Sequence, residues 1–506
     1  MRTGPDGGAA VIAMADGGSR LARQLVGIDG CARPVRLTGH VDHVDTATGE
    51  IRRAFSTAEE PGGVLRVRCN NRRGTVCPSC SKLYKGDARL IVRGGLTSDA
   101  DGEDGQDSAG GVGPAVFVTL TAPSFGPVHS RRERDGVGRV CRPRTGTCVH
   151  GRSVGCAERH GRDDPRLGEP VCPDCYRYTD LVVWNSLCPL LWKRTMEALR
   201  RGLARRAGSL AALRRTVRVD FVKVAEMQHR GAVHLHAVIR LGPVEVGGEL
   251  PEWAGLALLV EAVTMAARTT SVPLPELLGG VAGQLTVDEA AGPAPDPAVR
   301  WGAQLDVRTI LVGGTVTAGM VAAYLAKYVT KGSDSGAALD APVRDIGELD
   351  VVRLRPHLAR LIHTAWRLGA DPTVGPMLDE IAGRSGKRAG LLRWAHQAGY
   401  GGHPLSKSRA YSTTFGALRG RRRAHRQAEA FPDGIPVDAF GRPDSPDSDD
   451  GGATVRIGYW RYAGRGFHGD AERLIGAVLA GLPPDEWPDP GGGSGMSTAP
   501  GGGGDP

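Results

Sequence analysis

No run in this 506-residue chain reaches the ~20 consecutive apolar residues that a membrane-spanning helix needs. The opening MRTGPDGGAAVIAMADGGSR holds no uninterrupted apolar stretch of secretory length either. Both absences point to a cytoplasmic protein with no membrane partner. No GxxxxGK[ST] loop occurs, which excludes an NTP-driven motor of the P-loop kind. No internal repeat sets a period, so no repeat architecture is expected. A reducing compartment in turn excludes reading the ten cysteines as a disulfide framework, and their spacing points to metal instead.

The length allows on the order of two to four domains and a large core. Hydrophobic residues make up 41%, ordinary for a soluble protein, while 74 glycines and 34 prolines imply long irregular connections. The net charge of +9 and the pI of about 9.1 suit a polyanionic partner such as nucleic acid.

The cysteines fall into two groups. CNNRRGTVCPSC brings Cys69, Cys77 and Cys80 together, with Cys31 upstream as a fourth thiolate; a CxxC pair grips a tetrahedral zinc ion across a tight turn. The segment from Cys141 to Cys175 ends in CPDC, and Cys148, Cys156, Cys172 and Cys175 make a second zinc set. His160 and Cys141 are alternates there, His150 lies close by, and the ligands outnumber the needs of one ion. Cys188 stands apart and reads as core.

In chain order, residues 1–27 lack pattern and read as disordered, and 28–94 form the first cysteine module, closing on a helix over 84–94. Residues 95–112 are an acidic, glycine-rich flexible loop. Val116, Phe117, Val118, Leu120 and Thr121 make a buried strand that Pro123 stops. A helical region follows the second module, broken near Pro189, with Trp184 and Trp192 as packing residues. Further elements are an apolar helix over 253–267, a half-buried strand over 304–311, and a helix ending YLAKYVTKG with Gly332 as its C-cap. Residues 333–480 read as a helical, basic region for DNA. Within it KSRAYSTTFGALRGRRRAHRQ places Lys407, Arg409, Arg421, Arg422 and Arg423 among Tyr411 and Phe415, a candidate phosphate-binding surface. Residues 481–506 read as a disordered tail.

The stretch with the most chemistry is AEMQHRGAVHLHAVIRL, residues 225–241. A strand points alternate residues to one face, so His234 and His236 project together. His229, Arg230 and Gly231 supply a hairpin turn, and the preceding strand ends on Glu226, which the hairpin brings back towards the histidines as a third ligand. Gln228 shares the strand face of Glu226 as a further ligand or as a residue that orients one. Downstream, Tyr324 and Tyr328 lie one helical turn apart, as do Lys327 and Lys331. A divalent ion on two imidazoles and a carboxylate, a tyrosine nucleophile and a lysine are the parts needed to attack a phosphodiester.

In motif order the chain resembles the HUH endonucleases, in particular rolling-circle replication initiators. FVTLT at 117–121 matches their first motif, HRGAVHLHAV at 229–238 the histidine motif, and AAYLAKYVTKG at 322–332 the tyrosine motif. With its cysteine modules and KSRAYSTTF it is similar to initiators of actinobacterial plasmids and integrative elements. The resemblance implies an α+β fold with a central antiparallel sheet of HUH, ferredoxin-like type flanked by helices, spanning 113–332, with embedded zinc-binding modules, one of them inserted at 141–175. It implies Mg2+ or Mn2+ on His234, His236 and Glu226, Tyr328 as nucleophile with Lys331 beside it, and Tyr324 with Lys327 as candidates for a second transfer. The activity implied is strand-specific nicking and joining of single-stranded or extruded origin DNA through a 5′-phosphotyrosine, leaving a 3′ hydroxyl. A host helicase and DNA polymerase would then be partners. A relaxase or single-strand transposase shares this chemistry, and a non-catalytic zinc-dependent DNA-binding protein would share the fold.

Overall fold

The structure is a computed structural model that describes residues 16–46, 48–97, 113–245, 247–275, 278, 297–310, 317–334, 339, 342–347, 349, 354–386, 390–430 and 454–479. Its contacts divide the chain into two units, residues 1–84 with 419–506, and residues 85–418. The secondary structure is α+β with antiparallel sheets, as expected from the sequence. Among the described residues no helix is long and apolar enough to cross a membrane.

The first unit is built on β1 (Val35–Asp45). One edge of β1 pairs in antiparallel with β13 (Thr454–Arg465), from Val35 opposite Arg465 to Asp45 opposite Thr454. The other edge is shared by β2 (Ile51–Ser56) and β3 (Leu65–Val67). Gly39 lets β13 approach: a Cβ there would lie 1.9 Å from the Tyr459 carbonyl oxygen. Helix α1 (Asp16–Ile28) buries Leu25 and Ile28 against Cys31, Cys77 and Cys80, with Phe467 and Ile475 packed alongside; Ile475 lies on α10 (Asp470–Leu479). Arg66 and Glu472 form a buried ion pair beside them.

Two expectations are corrected here. Residues 16–27 are an ordered helix because GSRLARQLVGI carries its apolar residues on one stripe; residues 1–15 lie outside the described set. Residues 333–480 are not one helical region, because the alternating TVRIGYWRYAGR is a strand that completes a sheet with residues more than four hundred positions earlier. The loop at 98–112 and the tail at 481–506 also fall outside the described residues. Helices α2 (Pro78–Arg93) and α9 (Phe415–Ala430) run across the two points where the units divide.

The second unit centres on a five-stranded antiparallel sheet. Its order is β11 (Leu305–Ile310), β4 (Ala115–Leu120), β8 (Val233–Pro243), β7 (Val217–Met227), β12 (Leu405–Lys407). One face presents Val116, Val118, Leu120, Leu235, Ala237 and Ile239 to α3 (Tyr178–Ala207) and α5 (Leu256–Thr269). Trp184, Leu187, Leu191, Leu199 and Leu203 of α3 are fully buried there, so Trp184 is a packing residue, and Cys188 sits in the same core. The break expected near Pro189 is absent. Burial of the turns on both sides of the proline, from Leu181 to Leu191, outweighs the one backbone bond it removes. The opposite face is covered by α6 (Ala318–Asp334), which buries Val321, Ala322, Leu325 and Val329 and continues past Gly332, so that glycine is not its cap.

Short elements complete the unit: β5 (Arg132–Arg134) and β6 (Val137–Arg139) in the cysteine insertion, α4 (Leu210–Thr216) leading into β7, and β9 (Ser271–Pro273) paired with β10 (Ala298–Arg300). Helices α7 (Pro356–Ala370) and α8 (Val374–Ile381) pack on α3.

Candidate active site

Strands β7 and β8 form the hairpin anticipated for residues 217–241, in register from Val217 opposite Pro243 to Met227 opposite Val233. The turn is closed by Gln228 N–H to the Ala232 carbonyl and Gly231 N–H to the Gln228 carbonyl. Gly231 takes φ 78°, and a Cβ there would meet the Leu361 side chain at 2.2 Å, so only glycine fits. Asn185 of α3, fully buried, donates to the Gly231 carbonyl and accepts from Val233 N–H, which fixes the hairpin to the core.

The register sets Glu226 directly opposite His234. His236 Nε2 lies 3.2 Å from Glu226 Oε2, and its Nδ1 lies 3.3 Å from the Thr119 hydroxyl on β4. His234 Nδ1 lies 3.1 Å from Gln228 Nε2, while His234 Nε2 is buried with no hydrogen-bond partner. One donor atom from each of Glu226, His234 and His236 lies within 4.8 Å of the other two. Burial, followed by the neighbouring His236 and Arg230, holds the His234 imidazole down to about 3, so it is neutral and able to bind a cation at physiological pH.

Helix α6 lays both tyrosines over this group. The Tyr324 and Tyr328 ring centroids are 4.4 Å apart, and 5.5 and 4.9 Å from that of His236. Phe117 of β4 walls the other side, edge-on to Tyr324 at 5.5 Å. Burial raises the Tyr324 phenol above its usual range, helped by a hydrogen bond with Tyr328. Tyr324 is 41% exposed, Tyr328 is half-buried and Lys327 is exposed. The side chain of Lys331 lies outside the described set.

None of the ten cysteines forms a disulfide. Cys31, Cys69, Cys77 and Cys80 converge in the first unit. Hydrogen bonding among these close sulfurs pushes the Cys31 thiol up and the Cys77 thiol down. In the second unit the expected quartet of Cys148, Cys156, Cys172 and Cys175 is not assembled. Cys156 is pinned opposite Arg142 by an antiparallel bridge and joins His129, Cys141 and His160, while Cys148, Cys172 and Cys175 meet His150. The sequence could not reveal His129, because it lies twelve residues before the first cysteine of the segment and is brought in only by the backbone pairing of His129 with Glu169 and Gly168.

The basic residues expected to contact DNA divide between the units. Lys407 donates to the Ser408 and Arg409 carbonyls at the β12 edge, and Arg409 is exposed. Tyr411 is 1% exposed, with its hydroxyl donating to the Val92 carbonyl, so it is core and not a stacking platform. In the first unit Arg422 and Arg423 line a cleft of about 770 Å³ with Arg20, Arg23, Arg66, Arg68 and Arg419; Arg421 is exposed on the same helix. Sequence reasoning also passed over Tyr459, Trp460 and Tyr462, all exposed on β13 among Arg456 and Arg461, although the alternation of that stretch was there to be read.

Comparison with known proteins adds a family. The family model described as "Replication initiator protein, pSAM2" matches residues 18–480. A replication initiator protein of Streptomyces ambofaciens is 39% identical over 459 residues, 89% of this chain and 87% of that protein. No solved structure matches.

Proposed function

The chain belongs to the pSAM2 family of replication initiator proteins, and from that premise we propose that it starts replication by cutting and rejoining one strand of its origin, with Tyr328 as nucleophile, on a sheet of HUH type. The observation that carries this reading is the packing of the two α6 tyrosines over His236, beside Glu226 and His234.

Residues Glu226, His234 and His236 would hold Mg2+ or Mn2+: the neutral His234 imidazole, with a buried ring nitrogen lacking any partner, and the adjacent carboxylate fit a hard or borderline divalent cation. Such an ion, when bound, polarises the scissile phosphate and offsets the charge that builds on it. Thr119 orients the His236 imidazole through its Nδ1, and the Gln228 amide lies against Nδ1 of His234. The Tyr328 oxygen forms a bond to phosphorus as the bond from phosphorus to the 3′ oxygen breaks. The phenolic proton leaves Tyr328, and the departing 3′ oxygen takes the electron pair and a proton to become the free hydroxyl. The phosphotyrosine keeps the bond energy, so a DNA 3′ hydroxyl can attack it, release Tyr328 and rejoin a strand, with Tyr324 the candidate nucleophile for a second cut. Lys327, exposed on the same helix, and Lys331, one turn further on, supply positive charge for the phosphate.

Origin DNA presented as a single or extruded strand is the substrate, and a host helicase and polymerase extend the 3′ end. Zinc on Cys31, Cys69, Cys77 and Cys80 stabilises the first unit. The test is incubation with Mn2+ and single-stranded origin oligonucleotide, followed by denaturing electrophoresis. A covalent protein–DNA band that disappears with Tyr328→Phe is expected. Absence of the band from the wild-type chain, or its persistence when both Tyr324 and Tyr328 are phenylalanine, overturns the mechanism.

A further inference from the structure

We infer that the insertion between β4 and α3 binds two zinc ions, one on His129, Cys141, Cys156 and His160 and one on Cys148, His150, Cys172 and Cys175, and that the first ion positions the histidine hairpin. The positioning role rests on the proposed catalytic site; the two binding sites do not.

Tetrahedral zinc with bonds of about 2.3 Å to sulfur and about 2.0–2.1 Å to nitrogen places neighbouring ligand atoms about 3.3–3.8 Å apart. In the first set His129 Nδ1 and His160 Nε2 are 3.1 Å apart, and Cys156 Sγ lies 3.5 Å from the same His160 nitrogen. In the second, His150 Nδ1 lies 3.2 Å from Cys175 Sγ, 3.9 Å from Cys172 Sγ and 4.0 Å from Cys148 Sγ. Every ligand atom within a set falls within 4.8 Å of the others. Mixed thiolate and imidazole donors in four-fold closed sets suit zinc and leave no open position for chemistry. His160 carries a further mark of a metal ligand: its Nδ1 lies 2.7 Å from Asp164 Oδ2, which turns Nε2 towards the other three ligands. The side chain of His160 is wholly buried although polar on both nitrogens.

From this first set a short path leads to the hairpin. Asp164 is held by the Arg166 backbone and guanidinium. Two residues on, Gly168 donates its N–H to the His129 carbonyl, and Glu169 accepts from His129 N–H. Gly168, at φ 85°, sits against the hairpin turn so closely that a Cβ would lie 2.4 Å from the His229 carbonyl carbon and 2.7 Å from Arg230 N. Arg355 ties the two segments by donating to the Leu167 and His229 carbonyls. Arg230 then donates to Gln228 Oε1 at 2.8 Å and to the Pro123 and Ala122 carbonyls at the end of β4, and Gln228 reaches His234. The first zinc set therefore anchors both the loop under the turn and, through Gln228, the orientation of a catalytic imidazole. His160 and Asp164 are positioning residues in this scheme.

The experiment uses the full chain, purified without chelator, and needs no DNA. Elemental analysis is expected to lose one zinc per chain in His129→Ala, one in Cys175→Ser, and two in the double variant. His129→Cys, which keeps a ligand, is expected to retain the ion and serves as the folded control. A double variant that loses only one ion overturns the two-site assignment. Hydrogen exchange then tests positioning: His129→Ala should raise exchange of the amides at 228–234 about tenfold or more, whereas Cys175→Ser and the amides of α5 should change little. Unchanged exchange at 228–234 in a His129→Ala chain that has lost its zinc overturns the positioning role. Failure of nicking with both readouts intact would count against the catalytic reading alone.

Discussion

Burial, followed by a hydrogen bond with Tyr328, raises the Tyr324 phenol, so Tyr324 is harder to ionise than a free tyrosine. The proposed mechanism gives the two rings unequal roles in the first cut. Tyr328→Phe should abolish the covalent adduct, whereas Tyr324→Phe should still form it, about fivefold more slowly, as expected for the loss of one hydrogen bond of about 1 kcal/mol; single-turnover gels with each variant measure both. A second residue gives a pH dependence. His357 is buried under the hairpin turn, its Nε2 at 2.9 Å from the Arg230 carbonyl and its Nδ1 at 3.2 Å from the Tyr178 hydroxyl, with Glu169 and Arg355 beside it. Burial drops its pKa from 6.5 to about 4, so the unfolded chain binds the proton more readily than the folded one. Stability from this group is complete above pH 6.5 and is lost as pH falls towards 4, by as much as about 3 kcal/mol. Denaturant unfolding at a series of pH values should show that loss, and His357→Gln should flatten it.

Among the elements, the β7–β8 hairpin is the most constrained. Its turn is enclosed by Leu361 of α7, Asn185 of α3 and the Gly168 loop, and Leu361 occupies the space a side chain at position 231 would take. Gly231→Ala combines a strained left-handed φ with a clash against Leu361, so a loss of about 2–4 kcal/mol is expected. Thermal unfolding would measure it, and a neutral result would show that the turn can open. Helix α3 illustrates how packing overrides a local signal: Pro189 marks a break by its chemistry, yet the buried surface on either side keeps the helix running from Tyr178 to Ala207.

For the molecule as a whole, the candidate groups are shared between the two units. The second unit contains Glu226, His234, His236, Tyr324, Tyr328 and two cysteine–histidine groups, while the first holds a four-cysteine group, the arginine-lined cleft and the exposed aromatics of β13. Phosphate contacts set the salt dependence of binding. Replacing Arg422 and Arg423 with glutamate should weaken origin binding at least tenfold and lower the slope of log affinity against log salt by about 2, while adduct formation on a saturating single-stranded oligonucleotide stays near the wild-type level. Fluorescence anisotropy across a salt series, with the adduct gel alongside, tests both halves. An unchanged slope would remove these arginines from the DNA interface.

Local pattern was enough to place the central hairpin, the strand at 116–121 and the helix with Tyr324 and Tyr328, because alternation and helical spacing are properties of neighbouring residues. The same spacing put His234 and His236 on one face and Glu226 opposite them. What local pattern could not give was any grouping that depends on distant backbone pairing. The partition of seven cysteine and histidine candidates into two sets, with His129 added, follows from the bridge between Arg142 and Cys156 and the pairing of His129 with Glu169. The union of β13 with β1 and the burial of Tyr411 likewise depend on contacts hundreds of residues apart. Residue types and their spacing determined which candidate groups this chain carries; tertiary contacts decided which of them come within reach of one another, because a ligand set is defined by distance in space and not by distance along the chain.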